Sequence, residues 1–107
     1  MEDPLIKRFL DLITPEITHI HEIYLFGSRS RNDFSPDSDY DILIVVHKKD
    51  HAMISKLYDA VMDILLETGK LVSLKIYPLA EFNRLKSIPT PFMSNILKEG
   101  KKIGINH

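Results

Sequence analysis

The stretch Leu25-Phe26-Gly27-Ser28-Arg29-Ser30-Arg31-Asn32-Asp33-Phe34-Ser35-Pro36-Asp37-Ser38-Asp39-Tyr40-Asp41 decides how this chain is read. It opens on the end of a β-branched and aromatic run, Glu22 to Phe26, which a glycine stops as it would a strand entering a tight turn. It continues through turn formers from Asp33 to Ser38 and closes where a second apolar run, Tyr40 to Val46, begins. An unbroken aliphatic run of that kind suits a central position in the sheet. Side chains alternate along a strand, so Asp39 and Asp41 project to one face while Tyr40, Ile42 and Ile44 project to the other.

Each part of the stretch has a physical use. Gly27 lets backbone amides approach an anion with no Cβ in the way, and a helical turn after it would aim N–H groups at a phosphate. Ser28 adds a hydroxyl donor, and Arg29 and Arg31 supply guanidinium forks that match phosphate geometry. Carboxylates about 5 Å apart repel by about 3 kcal/mol at an effective dielectric of about 20, a cost that a divalent cation reverses. Mg²⁺ prefers six oxygens, and two carboxylates leave room for water and a triphosphate. Asp39 and Asp41 therefore read as a metal clamp rather than as two surface acids beside a strand-ending glycine. Arg29 and Arg31 have a plainer alternative in ion pairs with Asp33 and Asp37.

Working outward, Asp3-Pro4 reads as an N-cap with a first-turn proline, followed by Leu5, Phe9, Leu12 and Ile13 at helical spacing up to Thr14-Pro15. On the C-terminal side, Asp50 caps a long helix whose apolar face is expected at Ile54, Leu57, Tyr58, Val61, Met62 and Leu65, with Gly69 as its stop. A third strand follows at Leu71 to Tyr77. Short helices are expected from Leu79 to Lys86 and, after Thr90-Pro91, from Phe92 to Glu99 with Gly100 as the stop. The order predicts one α/β (α+β) domain over 1–107, a small mixed β-sheet covered by helices. Burying the aliphatic sets under helices would turn the polar positions of the second and third strands toward a common open cleft.

Composition narrows the function. The 107 residues, 44% of them hydrophobic, suffice for one core, and the absence of cysteine excludes disulfides and thiolate metal sites. A net charge of −1 with interleaved signs offers no obvious basic patch, which disfavours a nucleic-acid partner. Ile42 to Val46 is far shorter than the ~20 residues that cross a bilayer, and the acidic start Met1-Glu2-Asp3-Pro4 is unlike a signal peptide. A cytoplasmic protein with no membrane partner is expected, and a homo-oligomer stays compatible with the sequence.

Gly27-Ser28, ten residues, then Asp39-Tyr40-Asp41 resembles the signature of the DNA polymerase β-like nucleotidyltransferase superfamily, in a chain as short as its minimal nucleotidyltransferases. The resemblance runs from Leu25-Phe26-Gly27-Ser28-Arg29 to Asn95-Ile96-Leu97-Lys98-Glu99-Gly100 and implies the nucleotidyltransferase fold. It implies that Gly27 and Ser28, with Arg29 and Arg31 beside them, bind a nucleoside triphosphate, ATP being expected. Asp39 and Asp41 would be the catalytic pair that coordinates Mg²⁺. It further implies transfer of a nucleoside monophosphate to an acceptor hydroxyl, with a HEPN-type protein as partner and the chain as antitoxin of a toxin–antitoxin pair.

The chain departs from the pattern in one respect. Active relatives carry a third carboxylate on the strand after the long helix, whereas Leu71-Val72-Ser73-Leu74-Lys75-Ile76-Tyr77 has no acid and offers Ser73 or Lys75 on the expected face. An ammonium about 6 Å from a metal opposes its binding by roughly 3 kcal/mol per unit of metal charge at a dielectric of about 20. The alternative function is therefore a catalytically weak or inactive nucleotide-binding module. Glu67 and Glu81, the nearest acids, read as a solvated helix end and a surface residue. His19 and His21 are too few for a metal site and read as exposed, His47 and His51 as loop and cap. Tyr58, Met62, Phe92 and Met93 are assigned to the core.

Overall fold

The computed structural model describes residues 3–26 and 40–103. Helix α1 spans Pro4–Ile13, its N-terminus capped by the Asp3 carboxylate, which accepts the Leu5 N–H at 2.8 Å. A 3₁₀ helix, Thr14–His19, follows α1 and leads into β1, Ile20–Phe26. Strand β2 is Tyr40–Val46, as expected. Helix α2 spans His51–Thr68. The Asp50 carboxylate accepts from Ala52 and Met53, and Gly69 closes the helix in the left-handed conformation at φ 74°, which an L side chain resists. Strand β3 (Val72–Pro78), helix α3 (Leu79–Lys86) and helix α4 (Pro91–Glu99) follow, the last capped by the Thr90 hydroxyl.

The strands form one mixed sheet in the order β3-β2-β1-β4, where β4 is Lys101–Lys102. Strand β1 is antiparallel to both β2 and β4, and β2 is parallel to β3, with α2 as the crossover. Strand β4 was not foreseen, because two lysines after a helix stop carry no strand pattern. Gly100 makes the turn into it: a Cβ there would lie 2.5 Å from the Ile96 carbonyl oxygen.

Helices cover both faces of the sheet. On one face Tyr40, Ile42, Ile44, Val46 and Val72 pack with Leu5, Phe9 and Ile13 of α1 and with Met53, Leu57, Ala60 and Ile64 of α2. On the other, Leu43 and Val45 pack with Phe82 of α3 and Met93 and Ile96 of α4, Tyr24, Phe26, Tyr77 and Phe92 joining at the margin. This second core corrects the expectation of an open cleft along the polar positions. Strand β2 is apolar on both faces, so α3 and α4 close over most of that side and leave only its Asp41 end clear of the core.

A second correction concerns α2. Its buried residues are Met53, Leu57, Ala60, Val61 and Ile64, while Tyr58 and Met62, assigned to the core from periodicity, are 48% and 51% exposed. The helix carries apolar residues around much of its circumference, and the stripe containing the small Ala60 is the one that packs inward. Phe92 and Met93 do join the core, Met93 fully buried and Phe92 partly. His19 is exposed, whereas His21 sits edge-on to His47 with ring centroids 5.5 Å apart. Glu67 is exposed but not merely solvated, since Arg8 donates to both its oxygens at 2.9 and 3.2 Å.

Candidate active site

The strand register assembles the described part of the site. Phe26 of β1 stands opposite Asp41 of β2, and Asp41 stands opposite Ser73 of β3, so the three form one cross-sheet row with side chains on a common face. Neighbouring strands lie about 4.8 Å apart, which sets the Ser73 hydroxyl beside the Asp41 carboxylate. The next row on that face is Tyr24, Leu43 and Lys75, and the one after it Glu22, Val45 and Tyr77. Leu43 and Val45 are fully buried, whereas Asp41 is only partly so. The face thus grades from a covered hydrophobic floor to a polar, accessible end at Asp41 and Ser73.

Both candidates for the missing third-acid position, Ser73 and Lys75, lie on the face of Asp41. Ser73 is the nearer, directly across the strand pair. Lys75 is one row further in, exposed, with its ammonium 5.9 Å from the centre of the Phe92 ring. Phe92 in turn meets Phe26 edge-to-face at 5.8 Å, so an aromatic pair from α4 and β1 borders the row that holds Asp41. The remaining predicted site residues, Gly27, Ser28, Arg29, Arg31 and Asp39, lie outside the described residues. Gly27 follows Phe26 directly and Asp39 precedes Tyr40, so the row marks where both segments join the sheet.

One positioning contact escaped sequence reasoning. The Tyr40 hydroxyl donates to Asp3 Oδ2 at 2.7 Å, while Asp3 Oδ1 caps α1. A single carboxylate therefore ties the start of α1 to the start of β2, between the two acids of the Asp-Tyr-Asp motif. Nothing local signals a pairing across 37 residues.

At the far end of the same face, Glu22 Oε2 accepts from the Tyr24 hydroxyl at 2.7 Å and lies 3.2 Å from the Lys102 ammonium. Burial pushes the Glu22 carboxyl up, but the hydrogen bonds from Tyr24 and Lys102 outweigh it and leave it below the ordinary carboxylate range. Burial, followed by the bond to Glu22, pushes the Tyr24 phenol up to about 12. This network belongs to the β1–β4 junction rather than to the Asp41 row.

A mixed sheet with a helical crossover, carrying an aspartate at the mouth of an inner strand, is the arrangement expected of a nucleotidyltransferase-type domain. The chain belongs to the polymerase beta nucleotidyltransferase family, whose model matches residues 10–106. It is 32% identical over 101 residues to a Methanocaldococcus jannaschii protein named as a protein adenylyltransferase, covering 94% of this chain and 95% of that protein. Among solved structures, it is similar to a chain of a toxin–antitoxin complex with AMP-PNP, with a TM-score of 0.60 and 22% identity. That match covers 90% of this chain and 69% of the other. It is also similar to a chain in a complex of tri-AMPylated Shewanella oneidensis HEPN toxin with MNT antitoxin, with a TM-score of 0.52 and 19% identity. There the coverage is 92% and 67%. At these identities the structural matches establish the fold.

Proposed function

We propose that the chain binds Mg-ATP at the Asp41 end of the sheet and transfers AMP to a hydroxyl of a partner protein of the HEPN type, as antitoxin of a toxin–antitoxin pair. The observation that carries the reading is the row Phe26, Asp41, Ser73: a partly buried carboxylate at an accessible sheet end, next to the strand terminus that feeds Gly27-Ser28. The names of its relatives, a protein adenylyltransferase and antitoxins complexed with HEPN toxins, supply the acceptor class.

The donor set suits a hard cation, because Asp41 and the Ser73 hydroxyl offer oxygen and Asp39 would add a second carboxylate. Bound with the triphosphate, Mg²⁺ would neutralise charge at the phosphates as pyrophosphate departs. In the transfer a bond forms from the acceptor oxygen to the α-phosphorus and the bond to the pyrophosphate oxygen breaks, pyrophosphate leaving with the electron pair. Strand β3 has no carboxylate to take the hydroxyl proton, which would go to a base outside that strand, solvent included. Gly27 and Ser28 would hold the triphosphate, with Arg29 and Arg31 contributing charge.

Incubation with labelled ATP, Mg²⁺ and a purified HEPN-type partner tests this. Label should move to the partner, and Asp41→Asn should abolish transfer while the fold, read by circular dichroism, is kept. Tight complex formation without transfer would establish the second reading, a nucleotide-binding module without catalysis, which Ser73 in place of an acid favours.

A further inference from the structure

Helix α2 carries an apolar stripe that the fold does not use. Tyr58, Met62 and Leu66 follow one another at four-residue spacing and are 48%, 51% and 79% exposed. They run along about 12 Å of helix on the side away from the sheet. On one flank the stripe merges with the half-buried Ile54 and Leu65. On the other lie Asp59 and Asp63, which form no ion pair within the described residues and line a cavity of about 190 Å³ between α2 and the 3₁₀ helix, together with Pro15 and Glu16. Glu16 at the cavity wall is already paired with Lys56 at 3.2 Å, and Glu67 further along the helix with Arg8. The flank is net acidic: Asp59, Asp63, Glu16 and Glu67 stand against Lys56, which also lines the cavity, and Arg8, which feels the charge of Asp63.

We propose that this face of α2 is a docking surface for an amphipathic helix of a different protein, one whose apolar ridge is bordered along one side by arginine or lysine. The ridge would cover Tyr58, Met62 and Leu66, and the basic side chains would meet Asp59 and Asp63 at the mouth of the cavity. The charge pattern argues against a second copy as the occupant. An antiparallel two-fold pairing of α2 with itself would set Asp59 and Asp63 against the same two acids. A parallel pairing would align the helix dipoles and face the acids with Ile54 and Leu65.

The surface names the partner's chemistry and rests on the reading that the chain works with a partner protein. It lies across the sheet from Asp41, since α2 packs on the face of Ile42 and Ile44. A docked helix would therefore leave the nucleotide site open, and the two ideas fail separately.

The test uses the full chain and two stapled helical peptides with leucines at four-residue spacing, one flanked by arginines and one by glutamates, titrated by calorimetry. The arginine peptide should bind at least tenfold more tightly, and more weakly as salt rises. Asp59→Lys with Asp63→Lys should reverse the preference, and Met62→Glu should abolish binding while Mg-ATP affinity is unchanged. Equal binding of the two peptides, no binding, or binding kept by Met62→Glu would overturn the proposal. So would a dimer of the chain in sedimentation that Met62→Glu dissolves. Loss of ATP binding or transfer would sink the functional reading and leave these outcomes untouched.

Discussion

Asp41 and Ser73 carry most of what is distinctive about this chain at the scale of single residues. Adjacent strands place a hydroxyl where a third acid would add charge for a metal, so Ser73→Asp should strengthen Mg²⁺-dependent ATP binding and speed transfer by roughly tenfold, equivalent to about 1.4 kcal/mol. An unchanged rate and metal affinity would show that the position is remote from the reacting phosphate. Glu22 and Tyr24 make a pH prediction with opposite signs at the two ends of the scale. The depressed Glu22 carboxyl contributes stability that is present above its ordinary value of 4.5 and is lost as pH falls through its lower folded value. The raised Tyr24 phenol contributes stability that is whole below its ordinary value of 10.0 and is lost as pH climbs toward about 12. Denaturant midpoints should therefore fall between these two alkaline values for the native chain, and fall less for Tyr24→Phe.

Among the elements, the helices were the most legible, because caps are local. Asp3, Asp50 and Thr90 each accept first-turn N–H groups, as their chemistry predicts, and Gly69 closes α2 with positive φ. Gly69→Ala should cost about 1 kcal/mol through backbone strain alone, since a Cβ there would touch nothing. A midpoint shift in urea reads it, with an unchanged slope. The buried face of α2 was not legible. Tyr58 and Met62 fit helical periodicity as well as Met53 and Ala60 do, and only packing against α1 and the sheet selects between the stripes. Strand β4 was invisible for a related reason: Lys101 and Lys102 are strand residues only because Tyr24 and Leu25 offer them a free edge.

In the whole molecule, two hydrophobic layers hold the sheet, and the smaller one positions the site. Phe82 is the largest fully buried side chain contributed by α3 and α4 to the core under Leu43 and Val45. Phe82→Ala should cost about 3–5 kcal/mol and loosen the helices that bring Phe92 to Phe26 and Lys75. Thermal unfolding would register the loss, and ATP affinity should fall with it. Sequence by itself determined the order of the α-helices and the three longer strands, the helix caps and the parity that sends Asp41 to the face opposite Ile42 and Ile44. Those depend on neighbours along the chain, through backbone sterics and local hydrogen bonds. Only the tertiary structure decided that Ser73 lies beside Asp41, that Asp3 binds Tyr40, and that α3 and α4 close all but one end of the site face. These are choices among arrangements of similar local energy, and packing between segments distant in sequence is what separates them.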